Sequence, residues 1–425
     1  MRIPLIDVYI ILLRSNRNYR ALWLSQVVSL LGDWFNLIAS ATLVAKLSGS
    51  GLAIGALFLA RLLPPFVLGP VAGVIADRFD RRKILIASDV LRAVVVLGFL
   101  LVRTEQHIWL IYGLTVLQLS VSAFFEPARA AILPGIVKRK DLVTANALSG
   151  TTWSVMLAIG AALGGLAAAV FGITMAFILD SITFLVSAWF VSRLYLPATT
   201  SNPEAEIESG AGWQSFVTGL RYLRQHRSVL VIALLKATAA LGFGGMAVIE
   251  VTFAKEIFPI GTDGSLTLGL IFFAAGLGTG LGPLIARHIT GDNIIAMHWT
   301  ILFTFMVSFI GYLITGWTPT LLVLLLATFV RTVGGGTIWV YSSSLLQMMV
   351  PDKYLGRVFA FDIAMMTLAS SISTLWVGWA SDNLGLSPYQ ISLAQGAIPL
   401  TAMFGWFIYM NLRFKRRPVP STPSI

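Results

Sequence analysis

Residues 69–83 read GPVAGVIADRFDRRK, and six of the seven positions from Asp77 to Lys83 are charged. Long apolar runs flank this stretch on both sides. Of the 425 residues 57% are hydrophobic and 12% charged, about half the roughly 25% charge content usual in soluble domains, so where the charges stand is informative. A mean hydropathy of +0.83 points to a polytopic membrane protein and overrides the two or three soluble domains that length alone suggests.

A bilayer core about 30 Å thick asks for about 20 apolar residues at about 1.5 Å each. The opening stretch falls between two such runs, 51–76 and 84–103. Ten more follow the same pattern, at about 18–46, 107–128, 141–169, 171–194, 228–254, 265–287, 294–316, 319–345, 354–381 and 388–411. Only the pair Phe171-Gly172 separates the fifth from the sixth. The expectation is an all-α membrane protein of twelve helices.

Placing the N-terminus in the cytoplasm puts 23 of the 30 Lys and Arg in cytoplasmic segments; Lys46, Arg103 and Lys255 fall on the other side, and Arg61, Arg92, Lys236 and Arg331 within spans. This is the positive-inside pattern, and both termini are expected to be cytoplasmic. Arg2, Arg14, Arg17 and Arg20 surround a short apolar stretch without a small-residue cleavage site, as in a retained cytoplasmic end. The net charge of +11 is explained by anionic lipid headgroups, without nucleic acid.

The longest polar connection, 195–227, divides residues 1–194 from 228–425 and so a first six-helix bundle from a second, which ends in a short basic tail. Its PATTSNPEAEIESGAG portion reads as a flexible linker, and WQSFVTGLRYLRQHR as a helix at the membrane surface. Adding 213 to positions in the first bundle lands on like residues in the second: Gly69-Pro70 on Gly282-Pro283, Gly32 on Gly245, and Leu133, Val137 and Leu142 on Leu346, Val350 and Leu355. Two parallel halves related by duplication place a substrate site near the midplane between them.

Gly73-Val-Ile-Ala-Asp77-Arg78-Phe-Asp-Arg81-Arg82 resembles the G-x-x-x-D-R-x-x-R-R signature of the major facilitator superfamily. Three further stretches, NYRALWLSQVVSLLGDWFN (18–36), FFEPARAAILPGIVKRKDLVTANAL (124–148) and VPDKYLGRVFAFD (350–362), are similar to its drug-efflux subgroup, which includes macrolide and siderophore exporters. The resemblance covers about 16–412 and implies a monomeric transporter in a bacterial inner membrane. It departs at Ala161, where related exporters commonly carry proline, which leaves the direction of transport open.

The resemblance also implies roles. Gly73, Asp77, Arg78, Arg81 and Arg82 form a cytoplasmic latch, with Asp77 against the positive N-terminal end of span eleven near Tyr354 and the arginines meeting carboxylates or lipid phosphates. The position 213 residues beyond Asp77 is Thr290, so a second such latch lacks the charge. Glu126, Arg129 and Arg357 are expected at the cytoplasmic gate. Spans one, four, seven and ten line the cavity of this superfamily, which brings Asp33, Glu250 and Arg331 toward it, with Gln118, Trp34 and Trp339 as polar and aromatic wall.

Ionisable groups inside a bilayer are costly and ask for a reason. Asp33 and Arg61 are both near mid-span and are candidates for an ion pair, either structural or part of proton coupling. Glu250, beside the Gly242-Phe-Gly244-Gly245 bend, is a second proton or cationic-substrate site, and Arg331 a carboxylate or substrate partner. Asp180 and Asp362 read as interhelical hydrogen-bonding residues. Gly160, Gly164 and Gly165, like Gly276 and Gly280, suit close helix packing.

There is no cysteine, so disulfides and thiolate metal sites are excluded. The four histidines are scattered, and neither a nucleotide-binding loop nor an H-E-x-x-H or G-x-S-x-G constellation occurs in a suitable context. No cofactor, metal or enzymatic activity is expected. The function expected is proton-coupled efflux of amphipathic or hydrophobic small molecules by alternating access, with a lysophospholipid or siderophore exporter, or a non-transporting membrane sensor, as the alternatives.

Overall fold

The computed structural model describes residues 5–138, 141–195, 220–290 and 293–414, and the regular structure in them is helical throughout. In hydrocarbon every main-chain polar group must find its partner within the segment, which a helix achieves. Eleven helices are long and apolar enough to cross a membrane, one of them the 49-residue Thr144–Ser192. That helix would extend about 74 Å at about 1.5 Å per residue, more than two bilayer cores. Gly172 breaks it, with φ 83° and ψ 164°, so it supplies spans five and six at the break the sequence marks.

The twelve spans are one (Arg17–Ser48), two (Gly51–Arg78), three (Arg81–Leu97), four (Ile108–Ser122 with Phe125–Ile136), five (Leu142–Val155 continuing to 171), six (173–192), seven (Arg227–Ala233 onward to Ile257), eight (Ser265–Thr290), nine (Ile294–Thr315), ten (Leu321–Met349), eleven (Asp352–Asn383) and twelve (Pro388–Phe414). Polar residues open several of them. Asn16, Ser50, Asp80, Asn293 and Thr320 each accept from main-chain N–H groups of the first turn of spans one, two, three, nine and ten.

The buried apolar residues show how the halves meet. One cluster is continuous across both, joining Ile38, Val44, Ile54 and Leu57 to Val248, Phe253, Ile271 and Val377. Toward the termini it divides into two separate clusters, one around Tyr19, Leu85 and Leu133 in the first half, the other around Leu223, Ile301, Leu345 and Trp406 in the second. The halves are therefore fused at the end away from the termini and parted at the end that carries them.

Small residues make the fusion possible. A Cβ on Gly165 of span five would stand 2.7 Å from the Ser265 carbonyl and 2.8 Å from Gly269 Cα of span eight, a backbone approach that only glycine permits. Gly276 meets Ala158 in the same way, whereas Gly280 has only Ser154 Cβ at 4.0 Å and is not a tight contact. Gly160 and Gly164 work within the first half, where they admit the ring and the carbonyl of Trp34.

Candidate functional site

The parted end holds a cavity of about 830 Å³. Its wall is largely apolar, with Phe58 and Leu62 of span two, Trp153 and Leu157 of span five, Phe272 of span eight and Trp339 of span ten. Glu250, Tyr312 and Arg331 bring charge and polarity to the same wall from spans seven, nine and ten. The Arg331 guanidinium donates to Glu250 Oε1, and both side chains are 5% exposed. The ring of Tyr312 lies under that guanidinium at 5.4 Å, and Arg331 Nε is buried without an acceptor. The sequence brought Glu250 and Arg331 toward one cavity; their pairing and the part of Tyr312 appear only in three dimensions.

Immediately behind Trp339 is a second buried pair. Lys236 Nζ donates to Asp362 Oδ2 at 2.5 Å, joining spans seven and eleven, and stands 4.8 Å from the Trp339 ring and 5.5 Å from that of Phe359. Asp362 thus makes the interhelical hydrogen bond expected of it, and the donor is a cation, so the bond is also an ion pair. Lys236 was visible as an in-span cation, and its partner lies 126 residues away in the chain.

The first half arranges its charges differently from the expected Asp33–Arg61 pair. The guanidinium nearest Asp33 belongs to Arg92 of span three, at 3.9 Å, while Arg61 donates to Asn36 Oδ1 at 3.3 Å. Arg92 is held by Asp89 one turn earlier on its own helix and lies between the rings of Phe125 (4.8 Å) and Phe184 (4.2 Å). Asp89 also accepts from Ser187 of span six at 2.7 Å. A cation already enclosed by two rings and a carboxylate is fixed in place, and Asp33 approaches it from span one. Asp180 of span six is fully buried beside Gly32 and Asn36 of span one.

Among the described residues, Asp33, Arg61, Gln118 and Trp34 stand outside the cavity lining. Gln118 is fully buried in span four with neither end of its amide partnered. Trp34 fits against Gly160 and tilts against Phe272 at 5.8 Å, so it supports the wall from behind.

Toward the parted end, Arg129 pairs with Glu126 (2.7 Å) and reaches Gln26 Oε1 and Ser149 Oγ, tying span four to spans one and five. The Arg357 guanidinium lies 6.0 Å from the ring of Tyr354, which stacks on the ring of Tyr222 at 4.4 Å. The side chains of Gly73, Asp77 and Arg78 lie outside the described residues, as do 196–219 of the linker and 415–425 of the tail. Arg81 and Arg82 perform a task the motif does not announce. Arg81 donates to the carbonyls of Ala76 (3.1 Å) and Ala131 (2.8 Å), and Arg82 to that of Ser192. The Ala76 and Ser192 carbonyls are in the last turns of spans two and six, and that of Ala131 is in the turn before the end of span four, so the negative C-terminal ends of these helices gather near one surface and attract cations there.

Residues 22–374 match the family model described as Major Facilitator Superfamily. The chain belongs to this superfamily. It is 26% identical to the putative bacilysin exporter BacE of Bacillus amyloliquefaciens, over 86% of this chain and 88% of that protein, and 22% identical to macrolide efflux protein A of Streptococcus pyogenes, over 87% and 90%. The fold is shared with the crystal structure of the nucleoside transporter NupG at a TM-score of 0.69, covering 92% of this chain and 99% of that one at 12% identity. This major facilitator chain is an integral membrane transporter of small molecules with exporters among its relatives, in keeping with the drug-efflux resemblance. Its family carries solutes and is not a family of enzymes.

Proposed function

We propose that this transporter exports amphipathic or hydrophobic small molecules by alternating access, coupled to protons through Glu250. The observation that carries the reading is the cavity itself: about 830 Å³ of mostly aromatic and aliphatic wall around one buried carboxylate–guanidinium pair. That volume suits a drug-sized solute, and an apolar wall with few polar groups is the usual make-up of such a site. With both termini in the cytoplasm, the open end faces inward and the sealed end outward, the state in which an exporter loads.

Proton coupling follows from the pair. Arg331 pairs with Glu250, and a solute that takes up Arg331, or a proton that neutralises Glu250, breaks the pair. The two events then compete, as exchange of a proton for a solute requires. Asp33, partly exposed beside Arg92, is a second proton-carrying group in the other half. The relatives' names, a bacilysin exporter and a macrolide efflux protein, support export and the amphipathic class. Arg81 and Arg82, at the inner surface, also suit anionic headgroups, and the protein is read as a monomer.

The test is proton flux in liposomes containing the purified protein under an imposed pH gradient, with lipophilic cations, macrolides and lysolipids added in turn. A compound that releases protons through the wild type but not through Glu250→Gln supports the reading. Transport of a compound without proton movement, unchanged in Glu250→Gln, overturns the coupling.

A further inference from the structure

At the sealed end, the carboxylate of Asp382, on the last turn of span eleven, sits on the first turn of span two in the opposite half. Asp382 Oδ1 accepts from Gly51 N at 2.7 Å, and Oδ2 from Leu52 N at 2.9 Å and Ser50 Oγ at 2.6 Å. Gly51 and Leu52 are the first two residues of span two, whose N–H groups have no partner within their own helix. The carboxylate therefore meets the positive end of the helix and two of its free donors together.

The helices are shaped for this approach. On span eleven Thr374, Gly378 and Asp382 recur every four residues, and on span two Gly51 and Gly55 do the same. A Cβ on Gly378 would stand 2.9 Å from the Gly51 carbonyl, and one on Gly55 3.3 Å from the Thr374 carbonyl. Beside the contact is a polar recess of about 380 Å³ that includes Thr252, Lys255 and Glu256, so the groups, once parted, meet water and not hydrocarbon.

We propose that Asp382 is the outer latch of this transporter: it holds the halves closed at the sealed end, and its release from the N-terminus of span two accompanies opening of the cavity on that side. All of its partners belong to the other half, so the three bonds cannot survive separation of the seam. Lys46 with Asp263 (2.8 Å) and Lys255 with the Ala45 carbonyl (2.6 Å) cross the same seam and share its closure. The motif at residues 73–82 implies the reverse arrangement at the other end, a carboxylate closing span two against the start of span eleven. Spans two and eleven run antiparallel, so each can offer a C-terminal carboxylate to the other's N-terminus.

The inference rests on the alternating-access reading, and the experiment separates the two. The natural chain has no cysteine, so spin-label pairs can be introduced without background. One pair, Gln106→Cys with Leu384→Cys, reports the sealed end; another, Lys138→Cys with Gln225→Cys, reports the open end. Distances are measured by pulsed electron resonance in the full chain in lipid nanodiscs. Asp382→Asn is expected to raise the population with a widened sealed end on the order of tenfold, with matching shortening at the other end. Ser50→Ala, which removes one of the three donors, should shift both pairs in the same direction by less, and it serves if Asp382→Asn does not fold. Unchanged distributions in folded Asp382→Asn, or in Ser50→Ala where only that variant folds, overturn the latch if added solute still moves both pairs reciprocally in the parent. If nothing moves the parent pairs reciprocally, alternating access itself fails and the latch with it.

Discussion

Glu250 and Arg331 form a charge pair that is buried yet borders a cavity. Removing one member of such a pair leaves an uncompensated charge, which in protein interiors costs roughly 3 to 5 kcal/mol. Glu250→Gln is therefore expected to lower the melting temperature and to abolish solute-driven proton release. The double variant Glu250→Gln with Arg331→Met should recover most of the thermal stability, because neither charge is then stranded, and none of the transport. A melting curve and a flux assay on the same preparation decide this: recovery of both would make the pair purely structural. Sequence reading found these two residues because each is an ionisable group in an apolar run. It missed Tyr312 and the Lys236–Asp362 pair, since an aromatic ring in a span looks like packing until a guanidinium is placed above it. It also assigned Asp33 the wrong arginine: Arg61 and Arg92 are both mid-span, and only the packing of span three against spans one and six selects Arg92.

Among the elements, the span five to six connection depends on Gly172, whose φ of 83° an L-residue with a side chain adopts only at a cost. An added Cβ there meets nothing within 4 Å, so Gly172→Ala should destabilise through the backbone alone, by about 1 to 3 kcal/mol. Gly135→Ala, also in open space but without positive φ, should be near neutral, and thermal unfolding of the two variants compares them directly. The twelve spans were legible because bilayer thickness imposes one length on all of them, and the break at Phe171-Gly172 because glycine is the usual residue at positive φ. Which helix ends share a surface was not. Arg82→Ala should free the C-terminal carbonyl of span six at Ser192 and increase deuterium uptake over 186–195 in hydrogen exchange. No change there would reduce the arginine to a topological signal.

For the whole molecule, the internal repeat and the resemblance of residues 73–82 together indicated two halves around a central site, but neither indicated which end is open. That asymmetry is written in contacts between residues hundreds of positions apart: one apolar cluster across both halves at the sealed end, two separate ones at the other. The 213-residue offset also lands Gln118 of the first half on Arg331 of the second, a buried amide lying off the cavity against a cavity-lining cation. The charged groups that line the cavity, Glu250 and Arg331, therefore belong to the second half, while those of the first half, Asp33, Asp89 and Arg92, lie off its lining.

The central claim is that this cavity is exposed to one side of the membrane at a time, and side-specific labelling tests it most directly. In the cysteine-free chain, Ala247→Cys places one thiol on the cavity wall. In sealed proteoliposomes of known orientation, a membrane-impermeant maleimide should label it from the side of the termini at rest. With an exported solute and an opposing proton gradient, labelling should shift to the other side, and Glu250→Gln should prevent the shift. Labelling from the same side under every condition, in the presence of a solute that is demonstrably transported, would contradict the account.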